Sequence, residues 1–296
     1  MNTRMNFVVA LLLVVAIALG ALIGVTAGTY LFDLAYSESG ETDQQEESTS
    51  DSQTSGQPTS SVVDQTPKKM IALTFDDGPH ASYTNAILDL LEQYDAKATF
   101  FIYGEKLNTN TGKALKRAVT LGCEIGNHTF THPDMTTLSA DEVVNEIRKT
   151  NEKIALYSGT DYQCKTYRPP YGSISRAAME ALYQSGLYMY SIHWSSDSLD
   201  WEYQDRYANK KEITREEAVQ GAFDTIVSQT REGTVVLMHD VHEITPDILK
   251  LVLEKYTAEG YTFVTVSELF GLQDSASKEA YFNRYRSTSS ILATTK

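Results

Sequence analysis

The chain has only two cysteines, Cys123 and Cys164, which excludes both a disulfide framework and a cysteine-rich zinc module. It also lacks positive charge: 25 Lys and Arg stand against 39 Asp and Glu, for a net charge of -14. Nucleic-acid phosphates require a basic face, so no nucleic-acid partner is expected. Proline is scarce at 7 residues, while 42% of the chain is hydrophobic and 10% aromatic, so wholesale disorder is excluded. A length of 296 residues fits one barrel-sized domain with appendages, or two ordinary domains.

The acidity is uneven. Asp33, Glu38, Glu41, Asp43, Glu46, Glu47, Asp51 and Asp64 fall in one stretch without Lys or Arg, so the remainder is only mildly acidic. Before that stretch, Phe7 to Phe32 is an uncharged, largely aliphatic run of 26 residues. A bilayer core takes about 20 apolar residues as helix, whereas the core of a signal peptide is about 7–15. Residues 1–33 therefore read as a cytoplasmic stub and a single-pass transmembrane anchor. Arg4 before the run and acidic residues after it place the N-terminus inside. The alternative is a cleaved signal, for which Ala16, Ala18, Gly20 and Ala21 supply small residues. Either way the main domain is expected outside the cytoplasm. Residues 34–67, rich in Ser, Thr, Gln and Glu, read as a disordered linker spanning about 30–35 Å as a flexible coil.

From residue 68 to 270 short apolar strands alternate with amphipathic helices. Met70–Phe75, Ala98–Tyr103, Cys123–Gly126, Lys165–Tyr167, Leu187–Trp194, Thr234–Met238 and Tyr261–Val266 read as strands. Helices are expected over about 83–94, 112–121, 140–157, 176–184, 216–230 and 246–259, with a long polar loop after Trp201. This alternation predicts an α/β fold with a parallel sheet buried on both faces. An open doubly wound sheet and a closed barrel both satisfy it. The tail 271–296 is Ser/Thr-rich and receives no role.

The polar residues that look misplaced all follow strands, where α/β folds build their sites. Asp76-Asp77-Gly78-Pro79 comes first. It is either a turn or a pair of carboxylates that needs a positive neighbour. His128 and His132 are four apart, a spacing that puts two imidazoles on one face of a helical turn. Two imidazoles and a carboxylate form the set used by catalytic zinc, leaving the second carboxylate free as a base. Arg168 precedes two prolines and Gly172; it is a surface charge or the guanidinium that holds a carboxylate. Asp197 to Trp201 and Leu237 to His239 complete the series. His80, His193 and His242 stand outside these runs and are expected in surface or capping roles.

TFDDGP (Thr74–Pro79), HTFTH (His128–His132), RPPYG (Arg168–Gly172), DSLDW (Asp197–Trp201) and LMH (Leu237–His239) together resemble, in order, the five motifs of the NodB-type polysaccharide deacetylases, carbohydrate esterase family four. The resemblance spans about residues 69–270. It implies a distorted (β/α)7 barrel and hydrolysis of N-acetyl groups on a β-1,4-linked glycan with a divalent metal, zinc or cobalt. By that resemblance Asp77, His128 and His132 are the metal ligands. Asp76 is the base acting on the attacking water, and Arg168 orients it. His239 is the acid that protonates the leaving amine, with Asp200 as its partner. The Tyr171 N–H would meet the oxyanion, and Trp201 and Leu237 would wall the acetyl site.

An anchored, outward-facing enzyme of this kind meets peptidoglycan first, so its N-acetylglucosamine is the expected substrate. Chitin oligomers, a poly-N-acetylglucosamine exopolysaccharide and acetylated xylan remain alternatives, because the motifs define the reaction centre and not the sugar subsites. A non-catalytic wall-binding module would show a broken motif, and none of the five is broken. Cys123 and Cys164 precede HTFTH and RPPYG on what should be neighbouring strands, either bridged or as two buried thiols.

Overall fold

The computed structural model describes residues 69–272. The expected anchor, linker and tail beyond residue 272 lie outside the described residues. Among those described, no helix is long and apolar enough to cross a membrane.

Eight strands form one parallel sheet: β1 (Lys69–Asp76), β2 (Thr99–Ile102), β3 (Glu124–Asn127), β4 (Thr166–Tyr167), β5 (Tyr190–Ser191), β6 (Ser196–Asp197), β7 (Val235–His239) and β8 (Tyr261–Val264). Their order is β5-β4-β3-β2-β1-β7-β6, with β8 against β1 as well. β1 organises the rest. Its first half pairs with β8 from Lys69↔Tyr261 to Ala72↔Val264, and its second half with β2 from Thr74↔Thr99 to Asp76↔Phe101. Along its other edge it pairs with β7 from Ala72↔Val235 to Asp76↔His239.

The sheet curls into a half-barrel. The strand expected over Leu187–Trp194 is confined to Tyr190–Ser191, and a further short strand follows it that the sequence did not suggest. Ile192 N–H still donates to Tyr167 on the β4 side, while Ser195 N–H already donates to Val235 on the β7 side. The chain therefore changes partners within three residues, and Ser196–Asp197 becomes a strand of its own beside β7. This gives eight strands where seven were expected, and the DSLDW run follows β6 rather than β5.

The helices are α1 (Tyr83–Gln93), α2 (Gly112–Thr120), α3 (Ala140–Ser158), α4 (Arg176–Gln184), α5 (Asp200–Gln204), α6 (Arg215–Gln229), α7 (Thr245–Ala258) and α8 (Val266–Leu269). Local chemistry sets several of the boundaries. Ser139 with Glu142, Thr214 with Glu217 and Thr265 with Glu268 form capping boxes that start α3, α6 and α8. Gly159, at φ 77, closes α3 in the left-handed region. The stretch after Trp201 is not a loop: α5 runs into a π-helical turn over Asp205–Asn209, and Tyr203 and Tyr207 pack against the core.

Strand alternation decides what faces where. Ile71, Leu73 and Phe75 of β1 join the large core under the helices, with Ile87, Leu88 and Leu91 of α1 and Ile248, Leu249 and Val252 of α7. Each such fully buried side chain contributes roughly 1.5–3 kcal/mol. The intervening residue Ala72 belongs to a second cluster inside the curl, with Phe101, Val235 and Val266. Thr74 and Asp76 share its parity, and register pairs them with Leu237 and His239. His128 and Arg168 lie one residue beyond the Asn127↔Tyr167 pair. Asp76, His128, Arg168 and His239 are thereby brought to the carboxyl ends of the strands, around the inside of the curl.

Candidate active site

Arg168 is fully buried at the centre of this arrangement. Its Nη1 donates to Asp76 Oδ1 at 2.7 Å and to Thr74 Oγ1 at 2.8 Å. Its Nε and Nη2 donate to the carbonyls of Ile192 and His193, each at 3.1 Å. The guanidinium also stacks 4.3 Å from the Phe101 ring centroid. Of the two earlier readings of Arg168, the surface charge is excluded.

Asp77 follows with φ 71, in the left-handed region. Asp77 Oδ1 lies 3.4 Å from His128 Nε2 and 3.2 Å from His132 Nε2, and the donor atoms of all three residues fall within 4.8 Å of one another. The two histidines do not sit on a helical turn as their spacing suggested. β3 ends at Asn127, and the loop that follows has left-handed residues at Thr129 (φ 64) and His132 (φ 59). Hydrogen bonds hold this loop in place. Asn127 Oδ1 accepts from Thr129 N–H, and Thr129 Oγ1 accepts from His132 N–H. From α3, Glu146 accepts from Phe130 N–H (2.8 Å), Thr131 N–H (2.7 Å) and the Thr131 hydroxyl (3.0 Å).

The donor set fits a divalent ion. His128 Nδ1 lies 2.7 Å from the carbonyl oxygen of Arg168, which only accepts, so Nδ1 carries the proton and Nε2 keeps its lone pair toward Asp77. Burial pushes the His128 pKa down, favouring the neutral ligand form. Asp77 Oδ1 is a buried oxygen without a hydrogen-bond partner, an expensive arrangement unless a cation meets it. Burial works to raise the Asp77 pKa, but the imidazoles of His132, His128 and His239 outweigh it and hold the carboxyl well below its usual range.

Across the cleft His239 Nδ1 donates to Asp200 Oδ1 at 2.7 Å. Asp200 is fully buried, and its other oxygen accepts from His239 N–H (2.8 Å) and the Thr245 hydroxyl (2.7 Å). Burial alone would depress the His239 pKa, but the Asp200 charge overrides it and lifts the value to about 9. Asp200 is itself pushed below the usual carboxylate range: burial opposes this, and His239 prevails. The pair holds imidazolium against carboxylate near neutral pH, with Nε2 left to carry a proton into the cleft.

These groups line one cleft of about 450 Å³ with Pro169, Tyr171, Trp194, Asp197, Trp201, Leu237 and His242. Every residue expected at the site is therefore gathered there: Arg168 and Asp200 lie behind the wall and the others on it. Tyr171 (φ 58) is 69% exposed, with its ring 4.9 Å from that of His132. Trp201 is 50% exposed at the rim, and Leu237 is buried at the floor.

A family model described as polysaccharide deacetylase matches residues 63–190. The peptidoglycan-N-acetylglucosamine deacetylase PgdA of Listeria monocytogenes is 38% identical over 231 residues, covering 77% of this chain and 45% of that protein. A peptidoglycan-N-acetylglucosamine deacetylase of Bacillus cereus is 34% identical over 221 residues, covering 72% of this chain and 94% of that one. The chain belongs to the polysaccharide deacetylase family. Among solved structures, a family 4 acetyl xylan esterase from Clostridium thermocellum in complex with a cobalt ion aligns with TM-score 0.59 and 32% identity, covering 69% of this chain and 91% of that one. The chain spans about half the length of the Listeria deacetylase it matches.

Several groups around the cleft escaped the sequence reading. Glu146 lies mid-helix, 15 residues from the loop it ties, and has no local signature. Asn127 adjoins His128 and Thr245 lies six residues after His239, but neither carries chemistry alone. Asp240, next to His239, is fully buried, takes a hydrogen bond from the Thr84 hydroxyl at 2.5 Å and has an unpartnered Oδ1. A methyl on Gly78 would collide with its carboxylate, so glycine is required there. Burial lifts the Asp240 pKa to about 7. His80 does act as a cap, its Nδ1 accepting from Ser82 and Tyr83 N–H at the start of α1. His242 departs from the expected surface role and lines the cleft. Cys123 and Cys164 flank adjacent strands, both buried, without a bond between them.

Proposed function

We propose that the protein hydrolyses N-acetyl groups from N-acetylglucosamine residues of cell-wall peptidoglycan, using a zinc or cobalt ion held by Asp77, His128 and His132. The observation that carries this reading is the convergence in one cleft of that donor set, the arginine-held Asp76 and the Asp200–His239 pair. When bound, the ion supplies Lewis acidity, polarising the acetyl carbonyl and acidifying water. Asp76, fixed by Arg168 through Oδ1, takes the proton of the attacking water with its other oxygen. The new C–O bond pushes charge onto the carbonyl oxygen, for which the Tyr171 N–H is the donor we assign. His239 then passes the Nε2 proton to the nitrogen as the C–N bond breaks, releasing acetate and a free amine. Asp200 keeps the ring in place and charged beforehand. Trp201 and Leu237 shape an apolar pocket for the acetyl methyl.

The names of the Listeria and Bacillus relatives support peptidoglycan; the acetyl xylan esterase supports acetylated xylan as the second reading. We place the deacetylase domain outside the cytoplasm, tethered by residues 7–32, on the strength of that uncharged run with Arg4 before it. Digestion of intact cells with protease tests this, and a protected domain refutes it. The activity is tested by acetate release from peptidoglycan, N-acetylglucosamine oligomers and acetylxylan, after chelation and again with zinc or cobalt restored. Metal-dependent release from peptidoglycan supports the reading. Release from xylan alone replaces the substrate, and release undiminished by chelation removes the metal.

A further inference from the structure

Asp200, His239 and His242 bring one carboxylate and two imidazoles together a second time, with their donor atoms within 4.8 Å of one another. The His239 and His242 ring centroids are 5.6 Å apart, and both residues line the cleft. His242 is held by its backbone, whose N–H faces the His239 carbonyl at 3.5 Å, and its ring takes part in no hydrogen bond among the described residues. Nothing in the hydrolytic chemistry uses that ring. The composition matches the Asp77–His128–His132 set: oxygen and imidazole donors of borderline softness, suited to zinc or cobalt.

We infer that Asp200, His239 and His242 form a second divalent-cation site, weaker than the first, whose occupation switches the enzyme off. An ion there takes the lone pair of a His239 nitrogen and the proton leaves to solvent. That nitrogen is Nδ1, which faces Asp200, so the ring becomes neutral and its remaining Nε2–H is too weak an acid to protonate the departing amine. The site is weaker for two reasons visible in the structure. The ion must break the 2.7 Å His239–Asp200 hydrogen bond, and it must approach a cleft already carrying the first cation. The Asp76 and Asp77 carboxylates that face His239 favour a cation, whereas the Lys106 charge that reaches His242 opposes one. The inhibitory consequence rests on His239 being the acid of the proposed reaction; the binding does not.

The test strips the full-length chain of metal and titrates it with cobalt(II), following visible absorption and acetate release together. Two binding phases are expected, activity rising through the first and falling through the second. In His242→Ala and His242→Gln the first phase and its activity should persist. The second phase should weaken by about 100-fold or more, since even loss of a group that only supports a ligand costs 10–100-fold. A single phase in the native chain overturns the inference, as do two unchanged phases in both variants. If no glycan releases acetate, the proposed function fails, while two phases sensitive to His242 still support the site.

Discussion

Replacing Asp200 by Asn removes a charge and keeps the shape, which isolates what that charge does for His239. Histidine ordinarily titrates near 6.5, and burial at this position works to lower it, yet the value stands at about 9. Asp200 is the foremost of three carboxylates, ahead of Asp76 and Asp77, that together overcome burial to give a rise of about 2.5, or about 3 kcal/mol at 1.36 kcal/mol per pH unit. With its one oxygen at the Oδ1 position, Asn can still accept from Nδ1–H and keep the ring oriented, while its amide nitrogen replaces the Oδ2 that took the His239 N–H and Thr245 hydroxyl bonds. With that charge gone the His239 pKa should fall toward its ordinary 6.5, with Asp76 and Asp77 still opposing burial. At pH 6 most of the imidazole is then still protonated and turnover should be nearly native. At pH 8 the protonated fraction falls from about nine-tenths toward about one-thirtieth, a loss of up to about 30-fold. The assay is the pH profile of kcat/KM with one equivalent of metal. A basic limb that stays near 9 while activity drops equally at every pH would refute the assignment of His239 as a charge-tuned acid.

The same substitution has a stability signature. A histidine whose folded pKa lies above its unfolded value stabilises the fold fully below pH 6.5, and that contribution is lost as pH rises through about 9. Thermal melts of the native chain should lose stability across this window, and Asp200→Asn should flatten the loss.

Asp240 is predicted to act in the opposite sense to an ordinary paired carboxylate. Its pKa is raised by burial to about 7, so the fold loses a few kcal/mol as pH climbs from about 4 past 7, and Asp240→Asn should raise Tm at pH 8 but not at pH 4. Arg168→Met leaves Asp76 and Thr74 buried without their donor; about 3–5 kcal/mol of destabilisation is expected in urea unfolding, and a change under 1 kcal/mol would mean that water replaces the guanidinium. Glu146→Gln loses the charge-assisted bonds to Phe130 and Thr131, which should weaken metal binding by about 10–100-fold in competition with a chelator while the unfolding midpoint moves little.

The chemistry of the site was legible in the sequence because several apolar strands each ended in a short polar run. Asp76, His128, Arg168 and His239 could be placed together from that alone, since parity and register do the rest. The physical reason given for the histidine pair was nonetheless wrong. Spacing of four suggested a helical turn, but the imidazoles converge because Thr129 and His132 adopt left-handed backbone in a loop tied by Asn127 and Glu146. A carboxylate that acts 15 residues away, from a helix whose apolar stripe looks ordinary, leaves no periodic trace. The curl of the sheet was hidden for a related reason: the chain crosses to β7 at Ser195, just after the Leu187–Trp194 run, and the two-residue strand Ser196–Asp197 is too short to show a period. After Trp201 the charges masked α5 and the turn that follows, although Tyr203 and Tyr207, four apart, were the apolar anchors that a helix requires. What remained invisible was long-range pairing of polar groups. It is there, in Glu146, Asp240 and Thr245, that positions set by tertiary contact govern the residues whose chemistry could be read directly.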